Sequence, residues 1–134
     1  MLSGGRFVLG VGSGWNIPEM EALGYPFTGR TRRFEEQLEV LRSAWSGRPA
    51  AYSGTHVSFG EGIALFPQQF SPWGVPTLVG GMAEPAIGRA ARSSGWLGIS
   101  AVHRWDLDAM RSSVDVHRRE CERADMPTCR PAPG

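Results

Sequence analysis

Gly5-Arg6-Phe7-Val8-Leu9-Gly10-Val11-Gly12-Ser13-Gly14-Trp15 is the stretch on which the fold turns. Arg6 to Val11 is an almost unbroken apolar run. Such a run, closed by glycines, predicts a strand of a parallel sheet with both faces buried. Gly12-Ser13-Gly14 then predicts a loop of bare backbone. The run lies close to Met1 and lacks the cleavage pattern of a leader peptide. A domain that opens directly onto a buried strand leads us to expect further sequence upstream.

Working outward, Pro18 to Gly24 predicts a short helix, with Pro at its first position and Gly at its end. A turn is expected at Tyr25-Pro26. Thr31 to Ser46 is the clearest helix. Phe34, Leu38, Leu41 and Trp45 share one face, and Glu35, Glu36, Glu39 and Arg42 are expected to cover the other. Residues 48–72 are rich in Gly and Pro and predict a long excursion with a small hairpin from the extended pieces at 55–59 and 63–66. Pro76-Thr77-Leu78-Val79 is a second buried strand, ending in Gly80-Gly81. A helix is expected from Pro85 to Ser93, with Ala86, Ile87, Ala90 and Ala91 inward. Trp96 to Ile99 is a third strand. Asp106 to Asp125 is a last helix with Leu107, Met110, Val114 and Cys121 inward. The tail from Pro127 to Gly134 holds three prolines and is expected to be disordered. Strands alternating with helices predict βαβ units and a parallel sheet.

Composition narrows the function classes. The chain has 134 residues, enough for one domain with a modest core. Its net charge is +1, with no basic block for nucleic acid and no acidic tail. All fourteen basic residues are Arg, scattered as a GC-rich coding bias would leave them. The two cysteines, Cys121 and Cys129, make no disulfide framework, so a cytoplasmic setting is expected. No apolar run is long enough to span a membrane.

The chemistry-bearing features are the glycine clusters at the ends of two strands. In α/β folds that edge carries the active site. Without side chains there, a flat ring or a phosphate can approach the backbone. Val79-Gly80-Gly81-Met82-Ala83-Glu84-Pro85 runs straight into a helix start, whose N–H groups and positive dipole end suit a phosphate. Glycine pairs also serve merely to turn a chain, and the residues leave that alternative open. The first cluster matches neither the Walker loop, which needs Gly-Lys-Ser/Thr, nor G-x-G-x-x-G, because position 15 is Trp.

In order and spacing, these blocks resemble the luciferase-like monooxygenases. The first is Gly5 to Trp15. Glu21-Ala22-Leu23-Gly24, Pro26-Phe27, Arg32-Arg33-Phe34-Glu35-Glu36 and Leu38-Glu39-Val40-Leu41-Arg42 follow, ending at Trp45. Pro76-Thr77-Leu78-Val79-Gly80-Gly81 comes next, with Glu84-Pro85-Ala86, Arg89-Ala90-Ala91-Arg92 and Gly95-Trp96. The Gly-Val-Gly-Ser-Gly-Trp version is most similar to the branch using the deazaflavin coenzyme F-420. The resemblance implies part of a (β/α)8 TIM barrel, about three central βα units of parallel sheet. Its strands would be the family's fourth, fifth and sixth, in a fold that needs about 250 residues when complete. Residues 1–126 would form this partial barrel and 127–134 the tail.

The resemblance further implies a cofactor, coenzyme F-420 or FMN, and a small-molecule substrate. Ser13, Gly14 and Trp15 would lie against its ring or side chain. Gly80 and Gly81 would offer amides to its phosphate, with Ala83 and Glu84 close behind. This chain departs from the pattern in places. Trp15 stands where related enzymes can carry a proton-transferring acid. Met82 and Ala83 replace hydroxyl or amide side chains, and Ser94 replaces a common Asp. No catalytic residue is assigned, because the early strands that would supply one have no counterpart.

Other constellations have bland readings. His117 and Cys121 are four apart on one helix face, with Cys129 nearby, but spacing alone produces such pairs and no metal site is assigned. Glu19 and Glu21 point differently and suit a helix start. Arg30, Arg32 and Arg33 are expected to be solvated or paired with Glu35 and Glu36. Two functions remain. One is an oxidoreductase that moves a hydride or activates oxygen through the bound ring. The other is a non-catalytic barrel fragment that binds flavin weakly. Three parallel strands leave open edges, so a homo-oligomer or a complementing chain is expected as partner.

Overall fold

The computed structural model describes residues 3–66, 74–98 and 106–125, apart from the side chain of Glu61. The elements in chain order are β1 (Leu9–Val11), α1 (Ile17–Ala22), α2 (Arg30–Trp45), β2 (Ala50–Ser53), β3 (Ser58–Ile63), β4 (Thr77–Gly80), α3 (Glu84–Ala91), β5 (Gly95–Leu97) and α4 (Leu107–Arg123). They group into two compact units. One holds Met1–Phe7 and Ser13–Val75, and the other Val8–Gly12 and Pro76–Gly134. Ile99, His103, Cys129, the tail and the end of the 48–72 excursion lie outside the described residues.

The second unit is the α/β part. Its sheet has the order β1-β4-β5. Both pairings are parallel, with Val11 opposite Val79, Val79 opposite Trp96 and Gly80 opposite Leu97. Parallel neighbours need a crossover, and α3 supplies the one between β4 and β5. The central strand is the dry one, with Val79 fully buried. Pro85 opens α3, where its missing N–H costs nothing. Ile87, Ala90 and Ala91 then fall on one buried face. Gly88 lets α4 approach, since a Cβ there would lie 3.3 Å from the Glu120 carboxylate. Asp106 caps α4, its carboxylate accepting from the N–H groups of Asp108 at 3.1 Å and Ala109 at 2.9 Å.

Several expectations need correction. The hairpin expected from 55–59 and 63–66 pairs Ala50–Ser53 with Ser58–Ile63 instead. The strand predicted over Arg6 to Val11 is regular only over Leu9–Val11, and Phe7 and Val8 are 54% and 49% exposed. β1 has a neighbour on one side only among the described residues, so its apolar run exceeds what this sheet buries. On α4, Leu107 and Val114 were expected inward but are 64% and 42% exposed. Cys121 is buried as expected, and His117 turns inward on the same side, its ring stacked on Trp96.

The first unit joins α1, α2 and an antiparallel β2–β3 hairpin. Phe34 and Leu38 are buried on α2 as expected. Glu36 is not on the solvated side: it is 7% exposed. Its carboxylate accepts the backbone N–H groups of Thr55 (3.0 Å), His56 (2.7 Å) and Val57 (3.0 Å) in the hairpin turn. Gly54 permits this approach, because a Cβ there would come within 2.5 Å of the same carboxylate. The Tyr52 hydroxyl donates to Glu39 at 2.6 Å, a second tie between hairpin and helix.

Candidate functional site

The register of the parallel sheet decides which residues share a rim. Val11 lies opposite Val79, so Gly12 and Gly80 lie side by side at the C-terminal ends of β1 and β4. A Cβ on Gly12 would meet nothing within 4 Å, so the space beside its backbone is open. Gly81 has φ +141°, a conformation that favours glycine, and a Cβ there would fall 2.6 Å from that of Ala86. Only glycine can make this turn between β4 and α3. Ala83 is the N-cap residue of α3 and gives no side-chain cap. Pro85 has no N–H and Ala86 donates to the Ala83 carbonyl at 2.8 Å, so the N–H groups at the positive end of the dipole that could face a ligand are those of Met82, Ala83 and Glu84. Glu84 sits in that first turn and is exposed. Its negative charge suits the helix start but opposes an anion placed there.

Trp96 holds this turn from below. Its indole Nε1–H donates to the Gly81 carbonyl at 2.6 Å. Its ring stacks on His117, with centroids 5.9 Å apart and planes 24° apart. Burial pushes the His117 imidazole below its ordinary pKa. Ser94 ties the starts of two strands together. Thr77 N–H donates to the Ser94 hydroxyl at 3.0 Å, and Ser94 N–H donates to the Thr77 carbonyl at 3.0 Å. That role needs a small hydroxyl and fits Ser at this position.

Ser13, Gly14 and Trp15 belong to the first unit, while Gly80, Gly81, Ala83 and Glu84 belong to the second. Gly14 has φ +77°, and a Cβ there would crowd the Met20 sulfur at 3.1 Å. Its carbonyl accepts the Arg30 Nε–H at 3.2 Å. Trp15 is 84% exposed, leaving its indole available for stacking rather than packing. Arg30 also lies over the Phe27 ring at 3.6 Å, and Arg33 over Tyr25 at 5.3 Å. Arg32 pairs with Glu36 at 3.5 Å. Cys121 Sγ lies 3.6 Å from His117 Nε2. Among the described residues no three His, Cys, Asp or Glu side chains gather as metal ligands.

Sequence reasoning missed Gly12 as the partner of Gly80, the hold of Trp96 on Gly81, and the hairpin anchor Glu36. Gly12 could have been found by counting equal distances from the two strand starts. The other two depend on contacts between residues 15 or more apart, for which the sequence gives no signal.

Comparison with known proteins adds a family. The model of the luciferase-like monooxygenases matches residues 1–133. An uncharacterized protein of Mycobacterium tuberculosis is 39% identical over 98 residues, covering 72% of this chain and 34% of that protein. The 5,10-methylenetetrahydromethanopterin reductase of Archaeoglobus fulgidus is 28% identical over 115 residues, covering 86% and 33%. The chain thus spans about a third of the length of the curated relatives it matches. Three solved structures share the fold. Monooxygenase RslO1 from Streptomyces bottropensis has TM-score 0.78 and 20% identity, covering 98% of this chain and 39% of that one. The coenzyme F-420 dependent tetrahydromethanopterin reductase from Methanopyrus kandleri has TM-score 0.71 and 18% identity, covering 93% and 39%. The oxygenating constituent of 3,6-diketocamphane monooxygenase of Pseudomonas putida, in complex with FMN, has TM-score 0.71 and 21% identity, covering 92% and 37%. The α/β units described above are therefore part of a TIM-barrel fold, and the chain belongs to the luciferase-like monooxygenase family.

Proposed function

We propose that this chain is the cofactor-holding part of a flavin-type oxidoreductase, taking coenzyme F-420 or FMN at the rim of its parallel sheet. The observation that carries the reading is that Gly12 and Gly80 directly follow the paired residues Val11 and Val79, with open space beside Gly12. A tricyclic ring needs such a bare backbone surface. Its phosphate side chain needs donors, and the uncapped first turn of α3 offers them after Gly81. The names of the relatives agree: one is a reductase dependent on F-420, another a monooxygenase in complex with FMN.

The bound ring would supply the hydride-transfer or oxygen-activating chemistry. The protein's own work is positional. Gly12 and Gly80 would leave room for the ring, and the amides of Met82, Ala83 and Glu84 would be the donors to the phosphate. Met82 and Ala83 bring no hydroxyl or amide side chain to the phosphate, so binding rests on backbone donors and is modest. Apart from Glu84 in the first turn of α3, no acid or His among the described residues of the second unit is placed at the strand ends. We therefore expect cofactor binding with little turnover by this chain alone. A small-molecule substrate and a second copy or complementing chain belong to the same proposal.

Titration of the purified chain with FMN and, separately, with F-420, followed by cofactor fluorescence, tests it. We expect a dissociation constant on the order of 10 µM for at least one of them, equivalent to roughly 7 kcal/mol. Gly12→Val should weaken it at least tenfold while leaving the melting temperature nearly unchanged, because the new side chain enters open space. A folded chain that leaves both fluorescence signals unaltered would refute the reading.

A further inference from the structure

We propose that Trp96 is a positioning residue of this rim, setting the direction of the Met82 N–H by holding the Gly81 carbonyl. The inference rests on the reading of the rim as a phosphate seat, but its first test needs no ligand. A trans peptide is planar, so the N–H of Met82 points opposite to the carbonyl of Gly81. The Trp96 indole fixes that carbonyl at 2.6 Å. The Met82 N–H is thereby turned away from the indole.

The clamp matters because its pivot is soft. Gly81 sits at φ +141°, where no side chain restrains the backbone. A glycine peptide with no partner would sample several orientations, and each donor would have to be reordered on binding. The indole is itself held on two sides. His117 stacks on one face. On another, Gly98 lies so near that a Cβ there would be 3.1–3.2 Å from the six-membered ring. A ring with so little freedom can hold its N–H in one direction. Ala86 closes the other side of the turn, 2.6 Å from where a Gly81 Cβ would stand. The chain α4–Trp96–Gly81 therefore links α4, through His117, to the donors ahead of α3. Trp96 itself need not touch the cofactor.

The test uses the full chain labelled with nitrogen-15, as wild type and as Trp96→Phe, which keeps an aromatic ring but loses the donor together with the five-membered ring. Without ligand, we expect the Met82 amide signal to shift and broaden in the variant, as the Gly81–Met82 peptide samples several orientations. With FMN as the probe, we expect binding to weaken about fivefold, the loss of one oriented hydrogen bond. His117→Phe, which keeps a flat partner under the indole, should alter the signal less, and the binding by less than twofold. An unchanged Met82 signal in folded Trp96→Phe overturns the proposal, whatever happens to binding. Equal FMN affinities of the two proteins overturn it as well. If neither protein binds FMN or F-420, the phosphate seat falls, and the ligand-free signal alone decides the role of Trp96. Should Trp96→Phe fail to fold, the wild-type indole N–H decides. Protection from exchange supports the clamp, and exchange at the rate of an exposed indole overturns it.

Discussion

Glu36 shows what one residue can do that its position in a pattern does not announce. On α2 it occupies a place that helical periodicity assigns to solvent, yet it is buried against the turn of the β2–β3 hairpin. Burial pushes its carboxyl pKa up, but the N–H groups of His56, Thr55 and Val57 outweigh burial and hold it below the ordinary value. A depressed carboxylate stabilises the fold above its unfolded-state pKa. That contribution is lost as pH falls through the lower folded value. Glu36→Gln should therefore lower the melting temperature at pH 7 by about 5 °C, and the gap from wild type should close toward pH 3. A pH series of thermal melts checks this; a gap independent of pH would exclude the carboxylate as the cause. Tyr52 behaves with the opposite sign. Its hydrogen bond to Glu39 raises its pKa to about 12, so its contribution holds below pH 10 and fades above. At the rim, Glu84 places a negative charge where an anion would bind. Glu84→Gln should tighten FMN binding by about two- to fivefold at low salt, the size of one partly screened charge. Isothermal titration reads the change directly, and weaker binding would place the phosphate elsewhere.

The elements differ in how legible they were. α2 and α3 could be read from spacing alone, since Phe34 and Leu38, and Ile87, Ala90 and Ala91, repeat at helical intervals on buried faces. Gly80-Gly81 marked the end of a strand because glycine there has a geometric reason. The facing of α4 was legible only at Cys121. Leu107, Met110 and Val114 form a better apolar stripe, and His117 prevails through its contact with Trp96, which periodicity cannot encode. The energetic consequence can be measured. Ile87 is 1% exposed, so Ile87→Ala should cost about 3 kcal/mol in transfer and cavity energy. Leu107→Ala, at a site 64% exposed, should cost less than about 1 kcal/mol. Urea denaturation of the two variants separates the cases, and a large loss for Leu107→Ala would mean that this face is covered in solution.

For the molecule as a whole, the alternation of strands and helices was enough to predict a parallel sheet, and the observed order β1-β4-β5 follows it. The family was legible because many weak blocks stood in the right order, and the family model spans residues 1–133. What the sequence could not give was the amount of apolar surface left uncovered. Phe7, Val8, Leu97, Leu107 and Val114 are all more than 40% exposed, and β1 and β5 each have one strand neighbour among the described residues. Open strand edges and apolar surface favour association. Sedimentation velocity should therefore show the chain growing in mass as its concentration rises, and Val8→Lys should reduce that growth. A monomer at every concentration would show that these residues are covered by other means.

The central claim is that Gly12 and Gly80 form one bare rim for a planar redox cofactor whose phosphate meets the start of α3. Amide shift mapping of the labelled chain on addition of FMN or F-420 tests it most directly. The largest changes should fall together on Gly12, Gly80, Gly81, Met82, Ala83 and Glu84. Changes that spare these residues and gather elsewhere, or that are absent at saturating cofactor, would contradict it.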